Sequence, residues 1–425
     1  WLMTYQNYEY PSMQIMTAKT DKFKKSYIEV NFREDIRKMN PASRVFLSSL
    51  MTYNSNIYKT RRELKIKQEE LYNIEFGGTC ERNGYNVITS FQIDFLDPKF
   101  IKDTDYLDNC LDFLFTNISN PSIDGSSWEI GSYEVIKERL HVAVDNYKEN
   151  PSSYAKVEFS KELFHGGVAS DRLLNSHEQI NEVTRESLVK SYYEMLENSY
   201  CDVSIVGNLD MDKIVKKITT CFIRPKVVTK KIPNCIKSEL EKYYEIQRYG
   251  KYKQTQVFMG YLLDEFTYKE RFYIVPIFNR IFGASGLSDK LGKYLRMDNS
   301  LCYTYYSEFS VSNSAFYIYT GIKKENIDVA VACIKKAFKE MQRADFTESE
   351  LLIKKKQFLS ELDLEQDSIY GIANHMYFHY VFGTPTYEEL RKNVMAITKK
   401  DISSLTKKMH LTLLYVLKEE TDARN

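Results

Sequence analysis

Tyr27-Ile28-Glu29-Val30-Asn31-Phe32 alternates along its length like a strand with one face in a core. A second opening strand is read at Gln254-Thr255-Gln256-Val257-Phe258-Met259-Gly260-Tyr261, and the elements that follow each of the two occur in one order. After the first, the spacing predicts helices over 43–53 and 60–71, strands over 77–83 and 86–96, and a helix over 104–118. After the second, it predicts helices over 268–282 and 287–297, strands over 301–311 and 315–322, and a helix over 327–342. Both halves close in the same way. Thr184 opens a helix ending near Asn198, followed by a strand over 202–206; Thr398 opens one ending near Met409, followed by a strand over 411–417. Each Thr is a helix N-cap candidate, and Thr398 with Asp401, like Thr347 with Glu350, has capping-box spacing.

The chain therefore reads as a duplicated α+β unit of roughly 200 residues, near the upper range for one domain. Two homologous domains are expected, 1–224 and 241–425, each an antiparallel-rich sheet packed by helices. The connection, residues 225–240, follows from Arg224-Pro225-Lys226-Val227-Val228-Thr229-Lys230-Lys231-Ile232-Pro233-Asn234. Its two prolines and four basic residues suggest a solvated linker.

Composition narrows the function classes. With 59 basic and 58 acidic residues the net charge is +1, which argues against nucleic acid as the main partner. No apolar run is long enough to span a membrane, and the start, Trp1-Leu2-Met3-Thr4-Tyr5, lacks the n- and h-regions of a signal peptide. The seven cysteines (Cys80, Cys110, Cys201, Cys221, Cys235, Cys302, Cys333) include no C-x-x-C pair and sit mostly in apolar patterns, as buried free thiols of a reducing cytoplasm would. The 33 tyrosines fit first an AT-rich coding bias, with which a peptide-binding chamber lined by phenols is compatible.

Few residues offer chemistry directly. Of six histidines only His375 and His379 are four apart, sharing one face if helical, but no Glu lies between them and aromatics crowd the stretch; packed or capping roles suit them better than zinc. His165-Gly166-Gly167 reads as a turn. Gly283-Ala284-Ser285-Gly286 precedes a helix but lacks the Gly-Lys-Ser/Thr ending of a phosphate loop, and reads as a flexible interdomain or chamber-facing loop.

Taken in order, these pieces resemble the pitrilysin/insulinase metallopeptidases over nearly the whole chain, and within them the small, two-domain, non-catalytic bacterial partner subunits. The resemblance rests on Phe282-Gly283-Ala284-Ser285-Gly286-Leu287-Ser288-Asp289-Lys290-Leu291, then Leu295-Arg296 and Leu301-Cys302-Tyr303. Val206-Gly207-Asn208-Leu209-Asp210 and Leu71-Tyr72 before a glycine-containing strand pair add to it. It implies a clamshell chamber of which this chain forms half. It also implies that an inverted H-x-x-E-H zinc helix should lie at Val45-Phe46-Leu47-Ser48-Ser49. Val45 and Ser49 stand at the histidine positions, Ser48 at the glutamate, and Ala143 at the distal zinc carboxylate, with Glu134 and Glu138 nearby. Zinc needs about three protein ligands and an open position, so no metal and no activity are expected of this chain alone.

The family's Arg/Tyr pair is matched by Arg296 and Tyr303, which the resemblance assigns to substrate carbonyls and a developing oxyanion. The expectation is a non-catalytic subunit that positions a peptide, by analogy a leader peptide of a modified or secreted peptide, for a homologous partner bearing the zinc. The alternatives are a structural or peptide-binding scaffold without a part in proteolysis, and an enzyme with a displaced metal site at His375 and His379.

Overall fold

The computed structural model describes residues 4–170, 172–226, 231–284 and 286–420. In chain order the strands are β1 Thr4–Glu9, β2 Gln14–Lys19, β3 Lys25–Asp35, β4 Glu75–Asn83, β5 Asn86–Leu96, β6 Ile123–Asp124 and β7 Ser127–Trp128. They continue as β8 Tyr200–Gly207, β9 Tyr244–Gly250, β10 Thr255–Leu262, β11 Cys302–Ser310, β12 Ala315–Ile322 and β13 His410–Glu419. The α-helices are α1 Pro41–Leu50, α2 Arg61–Glu70, α3 Tyr106–Ser119, α4 Ile130–Glu149, α5 Pro151–Leu163, α6 His177–Glu182 and α7 Arg185–Asn198. After them come α8 Met211–Cys221, α9 Val275–Phe282, α10 Ile327–Gln342, α11 Glu348–Gln366, α12 Ile369–Phe382, α13 Tyr387–Met395 and α14 Lys399–Thr406.

Two compact units result. The sheet of the first runs β1-β2-β8-β3-β5-β4, antiparallel except for β2 with β8. The sheet of the second runs β11-β12-β10-β13-β9, antiparallel except for β13 with β9. Setting β4-β5-β3-β8-β2 beside β11-β12-β10-β13-β9 gives the same five-strand order, each with its parallel pair at the same end. The duplication read from the sequence is thus a duplication of topology, with β1 as an addition. β1, β2 and β9 lie ahead of the alternating segments that the sequence reading took as opening strands.

The units do not coincide with the two halves of the chain. The first comprises residues 1–145, 173–234 and 365–384; the second comprises 146–172, 235–364 and 385–425. The boundary expected from the sequence leaves α5 with the first half and α12 with the second, whereas each packs in the other unit. The reason is burial. α12 lays Ile369, Ile372, Ala373, Met376 and Tyr377 against Met16, Ala18, Ile88 and Val206 of the first sheet. α5 lays Ala155, Phe159 and Leu163 against Phe258, Tyr317, Leu413 and Tyr415 of the second. An apolar helix face finds whichever sheet face lacks a cover, and sequence proximity does not decide which.

The connection also departs from a solvated linker at its start. Arg224 is buried, its guanidinium donating to the carbonyls of Leu196 (2.6 Å), Ser199 (3.1 Å) and Ser12 (3.0 Å). Ile232 is buried too, and Val227, Val228, Thr229 and Lys230 lie outside the described residues. Among the cysteines only Cys110, Cys201 and Cys302 are fully buried; Cys221 is exposed and Cys80, Cys235 and Cys333 are half-buried.

Candidate functional site

The helix that should hold a metal is α1. Asn40 caps it, its side chain accepting from the Ser43 amide (3.3 Å), and Pro41 supplies the preset φ of a first helical residue. Its inner face buries Ala42, Phe46, Leu47 and Leu50. Arg44, 1% exposed, makes a two-point ion pair with Glu34 of β3, Nε to Oε2 at 2.5 Å and Nη2 to Oε1 at 2.7 Å. Below α1 lies β4, the edge strand of the first sheet. A Cβ on Gly78 would stand 2.2 Å from the Ser48 carbonyl oxygen, so glycine there lets the helix rest directly on the strand.

On this seated helix the metal positions hold no ligand chemistry. Val45 and Ser49, one turn apart on the same side, are half-buried. Ser48 is buried, and its hydroxyl donates to the Val45 carbonyl at 2.9 Å, so it is turned onto its own helix and not toward a water. Where α4 approaches, Tyr133 stacks on Phe46 (centroids 6.0 Å) and Arg139 lies over Tyr53 (5.4 Å). Ala143 is exposed one turn beyond Arg139, and Glu134 and Glu138 are exposed as well. Arg61 lies over the same Tyr53 ring at 5.7 Å, and burial, then Arg139, lower its pKa. Two guanidiniums beside the end of α1 oppose a dication. Among the described residues no group of three or more His, Cys, Asp or Glu could hold a metal ion. The residues present do not fit zinc.

In the second unit Arg296 lies in the last turn of a π-helical segment, Gly292–Met297, and is exposed; among the described residues it makes no ion pair. Its charge lies near Tyr305 and Cys302, opposing the upward shifts that burial imposes on both. Tyr303 lies in β11, the edge strand of the second sheet, where the register against β12 shifts between Cys302 and Thr304; its side chain lies outside the described part. Gly283 is buried: a Cβ there would meet Leu291 Cδ1 at 2.4 Å and Ser307 Oγ at 2.7 Å, so it serves packing and not an open loop. Gly286 is exposed with φ +67 and open space around its Cα, as a turn requires. Ser285 lies outside the described residues.

His375 and His379 stack in parallel on α12 (6.5 Å, 5°). His379 Nδ1 lies 2.6 Å from the Thr384 carbonyl at the helix end, and buried His375 packs beside Tyr5. A different histidine pair escaped the sequence reading. His141 Nδ1 and His177 Nδ1 meet at 2.6 Å, and Asp145 Oδ1 lies 2.8 Å from His177 Nε2. The i,i+4 spacing of His141 and Asp145 was the available signal; the third member is 36 residues further on.

Comparison with known proteins agrees with this geometry. Residues 182–358 match the family model of the peptidase M16 inactive domain. The probable inactive metalloprotease YmfF of Bacillus subtilis strain 168 is 22% identical over 404 residues, 94% of each chain. A conserved protein from Enterococcus faecalis V583 superposes with a TM-score of 0.92 at 21% identity, covering 99% of this chain and 100% of that one. The peptidase M16 inactive domain from Pseudomonas fluorescens superposes with a TM-score of 0.81 at 15% identity, again over 99% and 100%. Residues 182–358 are thus similar to the peptidase M16 inactive domain, and the chain as a whole has the fold of these neighbours.

Proposed function

We propose that this chain is the metal-free subunit of a heteromeric M16 peptidase, holding a peptide that a homologous zinc-bearing partner cuts. The observation that carries the reading is α1: the motif helix keeps its seat on β4 while Val45, Ser48 and Ser49 stand where ligands and base would be. A peptide-holding role is supported by the edge position of β4, whose outer backbone groups can accept an added strand. Arg296 and Tyr303 would serve substrate carbonyls in that complex, the guanidinium as a fixed cation and the phenol as a donor. The substrate class we assign is a leader peptide or similar short segment, and the compartment the cytoplasm. Among the described residues no helix is long and apolar enough to cross a membrane.

The test is co-expression with a homologue of similar length carrying H-x-x-E-H, followed by peptide-cleavage assays of each chain alone and mixed. Turnover should need both chains. Arg296→Ala and Tyr303→Phe should each lower kcat while zinc content stays that of the partner. Turnover by this chain alone would end the proposal. A stable complex whose turnover ignores both substitutions favours a scaffold.

A further inference from the structure

The face of the first sheet opposite α1 is polar at its centre. Val30, Phe91 and Gly78 form one rung across β3, β5 and β4, facing α1. Side chains alternate along a strand, so the flanking rungs, Glu29–Gln92–Gly77 and Asn31–Ser90–Thr79, face the other way. α12 covers part of that face and leaves a cavity of ≈ 470 Å³. Glu29, Gln92, Glu81 and Arg82 line it, Arg82 Nη1 donating to the Gly84 carbonyl at 2.9 Å, with the rings of Tyr27, Tyr370 and Tyr377 as its aromatic wall. Tyr27 and Tyr370 meet edge to face at 5.2 Å.

The cavity sets two carboxylates, Glu29 and Glu81, against one guanidinium, Arg82. Glu29 accepts from Tyr27 Oη and Asn31 Nδ2, both at 3.2 Å, and among the described residues no cation pairs with it. Burial raises its pKa, and the Glu81 carboxylate adds to the rise. Ser90 Oγ donates to Asn31 Oδ1 at 2.5 Å, which fixes the Asn31 amide toward Glu29. Gln92 Oε1 is buried without a donor. Two carboxylates against one guanidinium, with an unpaired amide oxygen beside aromatic faces, describe a site for a cation that carries N–H groups. An anion would meet Glu29 and Glu81 as like charges. An apolar group would leave Gln92 Oε1 buried without a donor and Glu29 without a counter-charge.

We propose that this cavity binds a guanidinium or ammonium group, which pairs with Glu29, donates to Gln92 Oε1 and lies against the Tyr27 and Tyr370 rings. The inference stands on the first unit alone and holds whether or not the chain joins a peptidase. The cation belongs either to a basic side chain of a peptide or to a free polyamine.

Titration calorimetry with N-acetyl-arginine amide, N-acetyl-citrulline amide and spermidine tests it. Citrulline is the neutral isostere, so it should bind about tenfold more weakly than arginine, the loss expected of a hydrogen-bonded charge. Glu29→Gln should remove a similar factor for arginine, and Tyr370→Ala at the half-exposed mouth should weaken it too. Circular dichroism confirms that each variant is folded. Spermidine binding more tightly than the arginine probe assigns the site to polyamines; the reverse assigns it to peptide side chains. Equal affinity for arginine and citrulline, no binding of any cationic probe, or an unchanged affinity in folded Glu29→Gln overturns the proposal.

Discussion

Gly78→Ala tests whether α1 is truly seated on the backbone of β4. The added methyl would stand 2.2 Å from the Ser48 carbonyl oxygen, 3.1 Å from its carbon and 3.0 Å from Thr52 Cγ2. Ordinary contact begins near 3.4 Å, so the helix must lift by about 1.2 Å at Ser48. That lift pulls on the Arg44–Glu34 pair and on buried Phe46, Leu47 and Leu50. Overpacking of this kind costs about 1–3 kcal/mol. Replacing glycine also removes unfolded-state freedom, which returns about 0.4–1 kcal/mol because neither Gly77 nor Gly78 has a positive φ. The net expectation is a loss of about 1–2 kcal/mol. Gly77→Ala is the control: its methyl meets Gln92 Nε2 at 2.9 Å, the movable end of a side chain, so that variant should match or slightly exceed the parent. Buried Trp128, packed against Tyr192, reports on the first unit in urea unfolding if Trp1 is replaced by Phe. If Gly78→Ala unfolds at the same urea concentration as Gly77→Ala or higher, the helix does not rest on that strand as described.

Removing one member of the buried ion pair, Arg44→Met, leaves Glu34 uncompensated and should cost about 3–5 kcal/mol in the same urea assay, while Arg44→Met with Glu34→Leu should recover most of it. Val45→His with Ser49→His places two imidazoles one turn apart. Zinc should then raise the midpoint of thermal unfolding by mass action, about 2.7 kcal/mol at a hundred times the dissociation constant, and Arg139→Gln should strengthen the effect by removing a cation from the neighbourhood. An unchanged midpoint with saturating zinc would mean that positions 45 and 49 are not presented together. Glu29 has a folded-state pKa above its unfolded value, so the folded protein binds that proton more tightly and loses stability as pH rises from the unfolded value through the folded one. Relative to the parent, Glu29→Gln should therefore gain in thermal midpoint at neutral pH, with the gain fading in acid; a pH-independent difference would contradict it. The charged and titratable groups around Glu29 are Tyr27 on its own strand, Asp94 on β5, Glu81 and Arg82 on β4, and Tyr370 and Tyr377 on α12.

The sequence displayed the repeated elements because each carries its own local signal. The alternation at Tyr27–Phe32 lies inside β3, and that at Gln254–Tyr261 coincides with β10 to within a residue. The Thr398/Asp401 capping box forms as the spacing suggests, Asp401 N to Thr398 Oγ1 at 3.2 Å and Thr398 N to Asp401 Oδ2 at 2.8 Å. Thr347 and Glu350 form the same reciprocal pair. The exchange of α5 and α12 carried no such signal, since an apolar face does not name the sheet it will cover. Gly283 read as loop flexibility because a glycine required by close packing and one required by a turn look alike in a sequence. The cavity at Glu29 was hidden in plain alternation: Glu29, Asn31, Ser90 and Gln92 look like solvent-facing residues until β3 and β5 prove to be interior strands with α12 over part of that face. His141 and His177 met only through the path of the chain between α4 and α6.

The persistence of α1 without ligands follows from what holds it. Its attachments are Asn40 at the N-cap, the Arg44–Glu34 pair, four buried apolar side chains and the close approach over Gly78. None of them passes through position 45, or through the side chains at 48 and 49, apart from a bond from Ser48 back to its own helix. A structural zinc site supplies folding energy outright, whereas a catalytic one uses a scaffold that is already formed. Loss of the ligands from a helix anchored this way therefore removes chemistry at small cost in stability. The edge strand and the helix across it stay in contact, as the proposed peptide-holding surface requires. The arginines beside Tyr53 extend the argument: once no metal has to be accommodated, Arg61 and Arg139 can stand where their charge would otherwise oppose it. Arg139→Glu together with Val45→His and Ser49→His is accordingly the variant that should come nearest to restoring a zinc site. If it binds zinc no better than the two-histidine variant, the Arg139 charge does not act at positions 45 and 49.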